Sequence, residues 1–173
     1  MNSWAGWASA VGALIAAAVA GAAWYQASGQ VRQLRLGELA PIAALLSDDR
    51  QLLATLQSDL AGERDAAILG SYLAKIRADG LPKHADVKQR LDRLAENNGA
   101  IVTLIQVYSP HAKTAAFGNA AAKFQRYAIA WRDRWSSVME LFMAGGHYPA
   151  AGVPFPTEFA GAVQAEIDAV GQP

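Results

Sequence analysis

Cysteine is absent from the 173 residues, which excludes disulfide staples, thiolate catalysis and Cys-ligated zinc or iron–sulfur centres. An excess of one charge is also absent, because 15 basic residues balance 15 acidic ones. Proteins that grip nucleic acid through its phosphates carry a basic surplus, so no nucleic-acid partner is expected. Alternating apolar–polar runs bounded by turn residues do not occur, and without them no strand is expected. Asp, Glu, Lys and Arg are missing from the first 31 residues, the first charged side chain being Arg32.

That last absence is the most informative. Residues 4–25 are almost entirely Ala, Gly, Val, Leu, Ile and Trp, with Ser9 the one clearly polar side chain. As a helix they span roughly 33 Å, enough for a hydrocarbon core of about 30 Å. Trp4 and Trp7 stand at one end and Trp24 and Tyr25 at the other, where amphipathic rings favour the two membrane–water interfaces. The segment therefore reads as a single transmembrane helix. A cleaved signal peptide is a rival, since Ala18-Val19-Ala20 and Ala20-Gly21-Ala22 offer cleavage sites, but no basic residue precedes the apolar run. A buried core helix is the second rival, because alanine is only marginally apolar. Arg32 and Arg35 follow the span and nothing positive precedes it. The positive-inside bias then puts the N-terminus outside and the remaining domain in the cytoplasm. The alanine content suits a GC-rich bacterial genome, hence a bacterial inner membrane. Small residues four apart, around Gly6, Gly12 and Gly21, would let a second helix approach closely in lipid.

The expected architecture is all-α: an anchor over 1–28, a juxtamembrane stretch over 29–40 marked by Gly29 and Gly37, and a compact bundle of four to five helices over 41–173. Pro41 reads as the first turn of a new helix. Ser47-Asp48-Asp49 reads as a further N-terminus, a hydroxyl cap followed by acids on the positive dipole end, with Leu53, Leu56 and Leu60 on one face behind it. Residues 63–78 carry another stripe, Leu69, Tyr72 or Leu73, and Ile76, stopped by Asp79-Gly80-Leu81-Pro82.

Two seams are clearer still. Val87, Leu91, Leu94, Asn98, Ile101, Ile105 and Tyr108 alternate at spacings of four and three, predicting one helix over about 85–108 that passes straight through Asn97-Asn98-Gly99. Asn98 is the polar member of that seam and would need a partner. Phe117, Ala121, Phe124, Ala128, Trp131, Trp135, Val138 and Phe142 repeat the alternation until Gly145-Gly146. Bulky rings opposite alanines suit antiparallel bundle helices. A proline-bearing loop over 147–156 precedes a last helix, capped by Thr157 and running to Ala169.

No catalytic or metal constellation emerges. His84, His111 and His147 each stand at a helix end or in a loop, none with a second ligand at i+3 or i+4. The adjacent acids Asp48 and Asp49 are accounted for by capping. Lys83, Lys88, Arg90 and Arg93 are diluted by Asp86 and Asp92 and read as a solvated face. The most distinctive string, residues 131–135, places two tryptophans on the seam and three charges outward. Trp131 and Arg134, with His147 and Tyr148 of the following loop, make the candidate interaction surface. The functional expectation is a non-enzymatic, membrane-anchored interaction or scaffold module without a cofactor. Its partners would be the lipid bilayer and a protein, a second copy included. The alternatives are a ligand-binding or enzymatic bundle with a site between helices, and a secreted periplasmic protein if the N-terminal segment is removed.

Overall fold

The computed structural model describes residues 3–60, 67–146 and 154–172, with side chains from residue 20 onward except at 22. These residues form five α-helices and no strand: α1 (Ser3–Asp59), α2 (Ile68–Asp79), α3 (Ala85–Tyr108), α4 (Ala115–Ala144) and α5 (Glu158–Gly171). Short 3₁₀ turns, Leu81–His84 and Ser109–His111, lead into and out of α3.

The all-α expectation holds, and α3 has the bounds its seam predicted. The first helix differs. It runs 57 residues without a break, through Gly29, Gly37, Pro41 and Ser47, where the sequence had suggested separate segments. Through Gly37, Pro41 and Ser47 the reason is a continuous buried stripe, Leu39, Ile42, Leu46, Asp49, Leu53, Leu56 and Leu60, at the same four–three spacing as the two later seams. Burial along one face outweighs an exposed glycine, at about 1 kcal/mol, and one exposed proline that gives up a backbone hydrogen bond to Gly37. Ser47 is thus a mid-helix residue on the solvent side rather than a cap.

Packing follows a ring. α1 lies against α3 and α5, and α4 lies against α3, α5 and α2. Named contacts give the directions. Asp48 meets Arg93 while Asp59 meets Arg90, so α1 and α3 are antiparallel. Tyr108 meets Phe117 while Asp92 meets Trp135, so α3 and α4 are antiparallel. Phe159 stacks at 4.9 Å on Phe124, and Glu166 reaches Thr114, so α5 turns back along the first half of α4. Tyr72 of α2 meets Trp135 at 5.8 Å, covering the second half. Two short helices together complete the bundle that α1, α3 and α4 begin.

Helix ends are closed by identifiable chemistry. Gly80 (φ 86°) and Gly145 (φ 69°) take positive φ at the ends of α2 and α4, a conformation glycine adopts without steric penalty. Cations of α2 serve two other helix ends: Lys75 Nζ donates to Asp59 O at 2.6 Å, and Arg77 donates to Leu141 O at 2.6 Å and to Gly146 O. Positive charge at a helix C-terminus is the favourable arrangement. Thr114 caps α4 by accepting from Phe117 N at 3.2 Å. Thr157 precedes α5, but its hydroxyl makes no capping bond.

Among the described residues no helix is long and apolar enough to cross a membrane. The side chains of most of the charge-free segment, 4–19, lie outside the described residues. Gly6 and Gly12, picked out for anchor packing, lie there too; Gly21 is exposed, with nothing within 4 Å of a Cβ placed on it.

Candidate functional site

The surface suggested by the string 131–135 is not assembled as such. Trp131 is buried, its ring 6.1 Å from that of Tyr127, and its indole N–H has no hydrogen-bond partner among the described residues. Arg134, expected to point outward, is half-buried, with Nη1 enclosed and likewise unpartnered among them. His147 and Tyr148 lie outside the described residues. Phe155, from the same loop, is buried against Phe124 and Tyr127.

The described histidines stand apart. His84 Nε2 lies 3.1 Å from Asp79 Oδ2, while His111 is exposed at the other end of α3, roughly 36 Å away along a 24-residue helix. Among the described residues no group of His, Asp and Glu is arranged to hold a metal ion. The basic residues of α3 are engaged rather than simply solvated: Lys88 with Asp92, Arg90 with Asp59 and Asp86, Arg93 with Asp48.

Polar chemistry inside the bundle gathers at two levels. Midway along, Asp49 of α1 faces Asn97 and Asn98 of α3, all three buried. Asn97 Nδ2 donates to Asp48 Oδ2 at 2.7 Å and to Asp49 Oδ1 at 2.9 Å. Asp49 Oδ2 and both polar atoms of Asn98 have no partner among the described residues. Burial pushes the Asp49 carboxyl up from 3.8 to about 7, reinforced by Asp48 and opposed by Asn97 and Arg93. The capping role read for Asp49 is therefore replaced by a core position.

At the head of the bundle, Glu166 of α5 inserts beneath the turn joining α3 to α4. It accepts from Tyr108 Oη (2.8 Å), Lys113 N, Thr114 N (2.9 Å) and Thr114 Oγ1 (2.6 Å). Burial alone would raise its pKa, but these four donors outweigh it and hold the carboxyl below the usual range. The Tyr108 phenol is pushed well up, by burial first and then by Glu166.

Beside this hub α1 continues past the end of α5, leaving a corner. A groove of about 680 Å³ lies there, lined chiefly by Trp24, Tyr25, Arg32, Arg35, Lys113 and Val170. Its rings are open to solvent, Trp24 at 73 % and Tyr25 at 77 %.

Sequence reasoning placed Asn98 in its seam as a buried polar residue but missed Asp49, Glu166 and the groove, though signals existed for the two acids. Asp49 falls on the spacing Ile42, Leu46, Asp49, Leu53, and Glu166 on Phe159, Val163, Glu166, Val170; an acid inside a seam is the mark of a buried carboxylate. The groove had no such signal, because Lys113 and Arg32 are brought together only by the closing of α5. No protein-family model, curated protein or solved structure matches this chain.

Proposed function

We propose that the chain is a membrane-tethered, non-enzymatic helical interaction module, anchored by its charge-free N-terminal segment and presenting its bundle to the cytoplasm. The observation that carries the reading is the continuity of α1, which leads from that segment into the bundle core as one helix of 57 residues. A tether of unbroken helix fixes the distance and orientation of what it holds, whereas a Gly/Ser linker would leave both free. The stretch just before the bundle also exposes Trp24, Val31 and Leu34, apolar side chains that a bilayer surface or a second helix would cover. The partner class is accordingly a membrane protein or a second copy of this chain.

Membrane fractions washed with alkaline carbonate should retain the chain, and a C-terminal fluorescent fusion should report a cytoplasmic domain. A freely soluble chain, or a mature N-terminus beyond Ala23, would overturn the tether. Crosslinking in solubilised membranes should then capture a partner or a dimer, and capture of neither would overturn the interaction role.

A second reading, a bundle that holds a small polar ligand between its helices, is favoured by the unpartnered buried atoms of Asp49, Asn98 and Trp131. Native mass spectrometry of the gently purified chain would show the ligand as added mass; a bare chain mass would remove this reading.

A further inference from the structure

We infer that the corner groove at the head of the bundle is a binding site for the phosphate of an anionic phospholipid headgroup. The inference deepens the tethered reading and rests on it.

Three features converge. First, the cations are available. Among the described residues neither the Arg32 nor the Arg35 guanidinium makes a hydrogen bond or ion pair, and the one charged interaction of Arg35 is with the Tyr108 phenol. Lys113 keeps one bond, from Nζ to Ala169 O at 3.1 Å, which holds it at the rim beside Val170 and leaves further ammonium donors free. Among the described residues no Asp or Glu side chain lines the groove. Unpaired guanidinium groups around a concavity suit the two-pronged hydrogen bonding of a phosphate.

Second, the depth is right. Arg32 follows Tyr25 by seven residues, roughly 10 Å along a helix. A bilayer's headgroup layer extends about 5–8 Å beyond the hydrocarbon on each side. With Trp24 and Tyr25 at the hydrocarbon edge, a flexible Arg32 side chain comes level with the phosphates, and Arg35, roughly 15 Å from Tyr25, reaches back to the outer edge of the headgroup layer. Third, the shape fits a lipid rather than a soluble anion. The groove wall is mostly apolar, formed by the exposed rings and Val31 on one side and Val170 on the other, so it takes glycerol and the first acyl carbons as well as charge.

Juxtamembrane cations near an anionic surface contribute about 1 kcal/mol each, equivalent to about fivefold per cation in lipid preference. The test is native mass spectrometry of the detergent-solubilised full chain, titrated in parallel with phosphatidylglycerol, phosphatidylcholine and soluble glycerol phosphate. The expected result is at least tenfold preferential retention of phosphatidylglycerol over phosphatidylcholine. Arg32→Gln and Arg35→Gln should each cut the preference about fivefold, and Lys123→Gln, whose amine pairs with Glu158, should leave it unchanged. Unchanged helical circular dichroism serves as the folding control, and the two arginine variants are independent of each other. Equal retention of both lipids, or a preference indifferent to both arginines, overturns the headgroup site while leaving the tether standing. Glycerol phosphate bound as tightly as phosphatidylglycerol overturns the lipid as its source. A chain released from membranes without detergent overturns the tether and this site with it.

Discussion

Among the described residues two carboxylates are buried in the bundle, and their surroundings differ in almost everything else. Glu166 receives four hydrogen bonds, two from backbone N–H groups, and stays a well-stabilised anion. Asp49 receives one, from Asn97, has an acidic neighbour in Asp48, and is driven toward its neutral form. Burial is common to both; the count of donors decides the charge state. The first carboxylate ties α5 to the turn between α3 and α4. The second sits at a level of the core where several polar atoms compete for too few partners.

The comparison breaks most visibly at its stronger member. Glu166→Ala leaves the Tyr108 hydroxyl and the backbone N–H groups of Lys113 and Thr114 without an acceptor beneath a packed turn. A loss of about 3–5 kcal/mol is expected, read as a lower denaturant midpoint. A shift smaller than 1 kcal/mol would mean that water replaces the carboxylate at no cost.

Asp49→Asn should act in the opposite direction. In the unfolded chain Asp49 loses its proton near pH 3.8, while in the fold it does so near 7. Between those values the folded state holds a proton that the unfolded state has released, so stability falls as pH rises from about 4 to 7 and then levels off. An amide cannot ionise. At pH 8 the variant should exceed the parent by up to about 4 kcal/mol, on the order of 10 °C in Tm, with no difference at pH 4. Glu166 contributes the opposite slope, since its stabilisation is present above the ordinary carboxylate range and lost as pH falls through its lowered pKa. The parent should therefore be most stable on the acid side of neutrality. A thermal-denaturation series from pH 3 to 9 peaking at 8 would contradict the Asp49 assignment.

Asn98 sharpens the same contrast without charge. Both ends of its amide are buried and without a partner among the described residues, so Asn98→Leu should stabilise by about 1–2 kcal/mol in urea unfolding. A loss instead would show that the amide is satisfied in solution, by water or by a ligand.

Legibility in the sequence tracked the same physics. The seams of α3 and α4 were readable because every seam position but Asn98 is apolar and the stops, Pro110 and Gly145, are strong. The seam of α1 was not, because Pro41 and the string Ser47-Asp48-Asp49 mimic two helix starts, and local chemistry there points against what burial enforces. Glu166 shares a seam with Phe159, Val163 and Val170, but its role was not readable, because its donors come from residues some fifty positions away. One wall of the groove is local, the stretch of α1 from Trp24 to Arg35, but the facing wall depends on the placement of α5.

The smallest expected effect concerns two threonines that look alike in sequence. Thr114 and Thr157 both precede a helix, and threonine is a favoured capping residue, though the sequence reading names only Thr157 as a cap. Thr114 takes extended backbone angles, accepts from Phe117 N and donates to Glu166, so one hydroxyl closes α4 and joins the hub. Thr157 takes helical angles (φ −60°, ψ −27°), which turn its hydroxyl away from the amides it would have to cap, and it makes no such bond. Thr114→Ala should cost about 1–2 kcal/mol, and Thr157→Ala less than 0.5. Equal losses in a urea titration of the two variants would mean that the start of α5 is capped in solution after all. Where the expected gap is found, the share of it that comes from the hub bond to Glu166 is the share that disappears when Thr114→Ala is made in a Glu166→Ala background.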